Sequence, residues 1–327
     1  MSRKLISLSA ATILMSSTAM ADVPSVAVDV APVHSLVARV MRTVGAPNLI
    51  IPTNASPHRY NLRPSEAKAL QDANLVFWMG EGLAPWMENA LESLSSNAKI
   101  IALLDQKETE LMEFREGALF EEHDHSDHAD DDDHDDHGDH DDHDDHAEHD
   151  DHDEHAHGKY DPHAWLSLEN ARTWLNLIAA QLSATDPENA GVYFSNAAEA
   201  RAELETLIAE VNTMLKPVRG LKFVVFHDAY QYFENSFDFP ASGAIALGDA
   251  TDPSPTRIAQ IHGRIKEEGI DCVLAEPQYK PGLVATVLDG SNAKASVIDP
   301  LGYGLEPGEK LYPQLIRQMA KTLVNCL

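Results

Sequence analysis

Between residues 121 and 158 the sequence holds 20 carboxylates, 12 imidazoles and no Lys or Arg. Imidazole is a preferred ligand of zinc, copper and nickel, so the first chemistry this chain offers is divalent-metal binding. The histidines are His123, His125 and His128, then His134, His137, His140, His143, His146, His149 and His152 at a strict spacing of three, then His155 and His157. Nothing apolar in the tract offsets the entropy of ordering it, and its carboxylates repel one another. It therefore predicts a disordered loop that binds metal weakly at many positions. A solvated acidic spacer is the bland alternative, and it leaves the histidines without a use.

Five histidines lie outside the tract: His34, His58, His163, His227 and His262. Three stand in the same kind of place. His58 follows a short apolar run ending near Ile51 and precedes a helix start at Pro64. His227 closes the run Phe223-Val224-Val225-Phe226, and His163 precedes the helical stretch through Trp174 and Leu177. Asp299 closes Ser296-Val297-Ile298 in the same way. In parallel α/β folds ligands bind beyond the carboxyl ends of strands, so these side chains can converge on one crevice. Three neutral imidazoles with a carboxylate or water as fourth ligand make a tetrahedral site suited to zinc, with bonds of ~2.0–2.1 Å. Manganese would recruit more oxygen. Glu276, after another strand run, is placed to ligate or to orient a ligand. Any one of these histidines taken singly reads as a hydrogen-bonded structural residue, and His34 and His262 are assigned to packing or surface roles.

Positioning such residues requires two sets of βα units. Apolar, β-branched runs at 26–30, 49–51, 75–78 and 100–104 are each followed by a turn and a helical pattern. A second set at 223–226, 272–275 and 295–298 goes with helices from about Pro255, Pro281 and Gly308. Between them the longest helical pattern opens at Asp186-Pro187-Glu188 with an acidic cap and ends at Lys216-Pro217. Its roughly thirty residues would span about 45 Å, more than one small domain needs. The expected architecture is α/β: an N-terminal lobe over 22–185 carrying the loop 121–158, a rigid connecting helix over 186–217, and a C-terminal lobe over 218–327. An ordinary packing helix within one domain is the alternative.

Residues 1–21 have the pattern of a secretory signal, with Arg3 and Lys4, a short apolar stretch, and Ala19-Met20-Ala21 before a cleavage point after Ala21. A membrane anchor competes, but the run is short of the ~20 residues of a span. In an oxidising compartment Cys272 and Cys326 are expected to pair and tie the C-terminal helix to a strand; two buried thiols are the alternative. The formal net charge of −29 comes mostly from the tract, and no basic patch with interleaved aromatics points to nucleic acid. The sequence contains no His-Glu-x-x-His helix and no obvious general base other than Glu276 or Asp299, which argues against a secreted zinc hydrolase, and no ATP-binding motif, so any ATPase is a separate chain.

The motifs Ala55-Ser56-Pro57-His58 with Leu62-Arg63-Pro64-Ser65, Asp161-Pro162-His163-Ala164-Trp165-Leu166, Phe226-His227-Asp228-Ala229-Tyr230, Ala275-Glu276-Pro277-Gln278 and Asp299-Pro300-Leu301-Gly302 extend over nearly all the mature chain. In this order, with a His/Asp-rich insertion before the second histidine, they resemble the zinc-uptake (ZnuA-type) solute-binding proteins of bacterial ABC transporters, in the metal-binding cluster A-I that also takes manganese. The resemblance implies two α/β lobes joined by a long rigid helix, with metal in the interlobe cleft. It implies His58 and His163 from the N-terminal lobe and His227 from the C-terminal lobe as ligands. Asp299 matches a carboxylate that ligates manganese in relatives. Pro57 stands where some zinc members carry glutamate, so the fourth ligand is Asp299 or water. The cysteine pair is similar to a disulfide of some zinc members. The implied role is not enzymatic: a monomeric periplasmic protein that binds Zn²⁺ as transported ligand and delivers it to a permease with a separate ATPase subunit, while the tract binds further zinc weakly. A Mn²⁺ carrier, and a periplasmic zinc buffer or chaperone without transport, use the same ligands.

Overall fold

The computed structural model describes residues 23–115, 120, 159–246, 253–278 and 281–327. The signal-like segment and the twelve histidines of the tract lie outside the described residues.

The first half of the chain alternates β1 (Val26–Val28), α1 (Ala31–Val40), β2 (Asn48–Leu49), α2 (Pro64–Gln71), β3 (Leu75–Trp78), α3 (Pro85–Leu94) and β4 (Lys99–Ala102). Its four strands are parallel, in the order β2-β1-β3-β4. The central strands β1 and β3 are buried at every residue, as a sheet covered on both faces requires, whereas Lys99 and Ile100 on the edge strand β4 are exposed. Pro64 opens α2 as expected, and the Glu66 carboxylate turns back to accept the Arg63 N–H at 2.7 Å.

Helices α4 (Leu168–Thr185) and α5 (Ala190–Leu215) follow, then β5 (Phe223–His227), α6 (Gln231–Phe237), β6 (Ala244–Ala246), α7 (Pro255–Glu267), β7 (Cys272–Ala275), α8 (Pro281–Leu288), β8 (Lys294–Val297) and α9 (Leu311–Cys326). The second sheet is also parallel, in the order β6-β5-β7-β8. Two lobes with one long helix between them are the observed architecture.

The long helix differs from the expectation in two respects. It starts at Ala190 after a 3-10 turn, Pro187–Asn189, so Asp186 is not its cap; that carboxylate accepts instead from the Asn189 amide and the Tyr193 hydroxyl. Its 26 residues span about 39 Å, and Tyr193, Leu204, Leu207, Val211 and Leu215 along it are buried, in a layer shared with α1, α4 and α9. The connection is therefore also a packing helix: one core cluster runs through both lobes, and a smaller one around Val224, Ile261 and Val273 covers the other face of the second sheet.

Strand β6 escaped the sequence reading because three residues carry no readable alternation, and Gly243, at φ 156, breaks the run before them. Gly308, at φ 142, is incompatible with the expected helix start there, and α9 begins at Leu311. Cys272 at the start of β7 and Cys326 at the end of α9 form a disulfide with Cα atoms 5.7 Å apart. Among the described residues no helix is long and apolar enough to cross a membrane.

Candidate metal centre

Strand β5 runs down the middle of its sheet and ends on His227, which is 2 % exposed. Its Nδ1 lies 2.5 Å from Oε1 of Glu276, the residue after β7, and the second oxygen of Glu276 accepts from the Gln278 amide at 2.6 Å. His163 opens a 3-10 turn, Ala164–Leu166, and is equally enclosed. Asp161 Oδ1 accepts from both the His163 backbone N–H, at 2.9 Å, and its Nδ1, at 2.6 Å. His58 lies half-buried in the loop between β2 and α2, where the Trp86 indole donates to the carbonyl of Pro57 at 2.8 Å.

These anchors bring the rings together. The centroids of His163 and His227 are 5.2 Å apart, and those of His58 and His163 5.5 Å. Nε2 of His163 and Nε2 of His227 are 3.5 Å from each other. Two nitrogens on one tetrahedral zinc at ~2.0–2.1 Å would be about 3.4 Å apart. The pair is thus already spaced for a single ion, with a third ring beside it. Among the described residues no group of three or more His, Cys, Asp or Glu forms a complete cage as it stands. The hollow between the rings, also lined by Pro57, Trp165, Gln278, Pro300 and Leu301, measures ≈ 10 Å³. That is room for one water-sized particle.

The buried carboxylates fix what the imidazoles offer. An Nδ1–H donated to a carboxylate leaves the lone pair on Nε2, turned here toward the hollow, and the carboxylate raises the basicity of the ring. Burial pushes Asp161 up to about 7, against the His163 N–H and the charge of Arg115, which pull it down. Burial likewise raises Asp299 to about 6, opposed by backbone N–H groups and reinforced by the charge of Glu276. Asp299 Oδ1 accepts from the N–H of Leu301 at 2.9 Å and of Gly302 at 3.0 Å. Its neighbours Pro300 and Leu301 line the hollow, and Asp299 is not among its lining residues.

His34 Nε2 meets the carbonyl of Pro47 and His262 Nε2 that of Asp289, the packing and surface roles assigned to them. The part played by Asp161 was missed, although an Asp two residues before a candidate ligand is a signal that could have found it. Size is no guide to the site. A much larger hollow, of ≈ 650 Å³, lies beside α6, is lined by Glu110, Glu113, Arg115 and Glu234, and has no imidazole among its described lining residues.

The sequence profile of the family described as "Zinc-uptake complex component A periplasmic" (ZnuA) matches residues 26–326. The chain belongs to this family. Among its ZnuA relatives, the high-affinity zinc uptake system protein ZnuA of Brucella abortus (strain 2308) is 45% identical over 304 residues, 92% of this chain and 91% of that one. The protein of the same name from Paracoccus denitrificans (strain Pd 1222) is 45% identical over 310 residues, 94% and 93% of the two chains. A solved crystal structure of ZnuA shares the fold with a TM-score of 0.70, covering 93% of this chain and 99% of that one at 21% identity.

Proposed function

We propose that this protein is a periplasmic carrier that takes up Zn²⁺ as cargo between His58, His163 and His227, in the cleft between its lobes, and hands it to the permease of an ABC importer with a separate ATPase subunit. The observation that carries this reading is the His163–His227 pair. Two Nε2 atoms stand 3.5 Å apart, each on a ring whose other nitrogen is held by a buried carboxylate. Family membership and the names of the ZnuA relatives support zinc and uptake. His58 completes the three-nitrogen set by a small shift of its ring, and Asp299 or water supplies the fourth position. A hollow of ≈ 10 Å³ between the rings suits a single ion. The reading includes export with cleavage after Ala21, lobes at 22–185 and 218–327 joined by 186–217, and a monomeric carrier. The tract at 121–158, tethered just before His163, raises the local zinc concentration.

Full-length protein purified without added metal tests this. One tightly held zinc is expected, with imidazole nitrogens seen by X-ray absorption, and with zinc winning over manganese at equal free concentration. Deleting residues 121–158 is expected to lower the zinc stoichiometry and keep the tight ion. Manganese winning the competition, or loss of the tight ion on deletion, would defeat the reading.

A further inference from the structure

His163 belongs by sequence to the first half of the chain, yet hydrogen bonds on both sides of it reach the second lobe, besides the Asn170 amide of α4 on the Ala164 carbonyl. The hydroxyl of Tyr232, on α6, accepts the backbone N–H of Met112 at 2.9 Å and donates to the carbonyl of Asp161 at 2.9 Å. Asp161 is the residue whose carboxylate grips His163. Beyond His163, the Trp165 indole donates to the carbonyl of Pro300 at 2.8 Å, and the carbonyl of Trp165 accepts from the hydroxyl of Tyr312, on α9, at 2.8 Å. The chain before and after the tract pairs with itself, Glu113 opposite Tyr160 and the Asp161 N–H on the Met112 carbonyl at 2.8 Å. Gln231 fixes this ribbon to α6 through the Glu113 carbonyl, and the Arg115 guanidinium joins it to the buried carboxylates of Asp228 and Glu234. The loop of His58 has different supports. Two bonds that anchor it, from Trp86 to Pro57 and from Tyr60 to Glu66, lie within the first lobe.

We infer that, on the carrier reading above, Tyr232 and Tyr312 are positioning residues that hold His163 in the frame of the C-terminal lobe. His163 and His227 then form one fixed jaw, and His58 is the single imidazole carried by the opposite lobe. A change in the angle between the lobes leaves the two-nitrogen pair intact and moves only His58. An arriving ion is gripped at two points before the third closes, and its release begins at His58.

The test uses the full chain loaded with one equivalent of Zn²⁺ and mixed with excess chelator, so that weakly held ions leave in a fast phase and the cleft ion in a slow one. Each Tyr→Phe change removes one hydroxyl and no buried charge, so the fold is expected to survive, which melting of each variant checks. The combined Tyr232→Phe, Tyr312→Phe variant is expected to speed the slow phase about 10-fold, the low end of what losing an outer partner of a metal ligand costs. In that background His163→Ala adds little, because its ring is already misplaced, whereas His58→Ala keeps its full factor. A general structural fault would couple to both histidines alike. The inference is overturned if the slow phase is unchanged in the tyrosine variant, or if its factor multiplies equally with both histidine substitutions. A wild type without a slow phase defeats the carrier reading and this inference together; a slow phase with the wrong coupling defeats the inference alone.

Discussion

The two lobes carry the same sheet, four parallel strands with β1 and β5 in corresponding central positions, and use the end of that strand differently. One residue past β1, Asp29 turns one carboxylate oxygen onto the N–H of Val30 and the other onto that of Met79, both at 2.7 Å. Both oxygens are thereby committed to the lobe's own backbone. At the end of β5, His227 commits one nitrogen to Glu276, just past β7, and leaves the other for the hollow. Both stand at the C-terminal end of a central strand, and the side chain decides whether that end is closed internally or faces the hollow. The first lobe draws its imidazole from elsewhere, the loop after its edge strand β2.

The C-terminal lobe also carries the disulfide, and removing it should produce the largest change. The bridge closes a separation of 54 residues, and Cys272→Ser with Cys326→Ser is expected to lower stability by about 4 kcal/mol in denaturant unfolding. An unchanged midpoint would show that the second lobe stands without its staple. For zinc, His227→Ala is expected to weaken binding by more than about 100-fold in a chelator competition, beyond the 10–100-fold that loss of an outer partner costs. The matched pair comes next. Glu276→Gln should weaken zinc by about 10-fold, while Asp29→Asn, the buried carboxylate just past β1, should leave zinc affinity where it was. Equal effects from the two would erase the distinction between the lobes.

The smallest expected effect is a pH dependence. Burial raises Asp29 from 3.8 to about 7, against the N–H groups of Met79 and Val30. Because the folded value lies above the unfolded one, its stabilising contribution is complete below about pH 4 and is lost as pH rises through about 7. Metal-free protein should therefore lose stability across that window, and Asp29→Asn should flatten the loss in melts run at several pH values. Zinc affinity runs the other way, rising with pH as protons leave the imidazoles.

Much of this was readable in the residues. Buried parallel strands need apolar runs, and Leu75–Trp78 and Cys272–Ala275 were found at their observed bounds. His58 and His227 were marked by their place after such runs, His163 by the helix it precedes, and Cys272 and Cys326 by the compartment. Such signals are local, set by the chain's own periodicity and by which side chains have lone pairs to offer. Tertiary structure alone decided the rest. It turned Asp161 and Glu276 onto particular ring nitrogens, packed the long helix into a common core, committed Asp29 to the backbone, and hung His163 on tyrosines from the far lobe. Each of these is a contact between residues distant in the chain, and the energy that selects it comes from burial and from satisfying buried donors and acceptors, neither of which is written in the spacing of one segment.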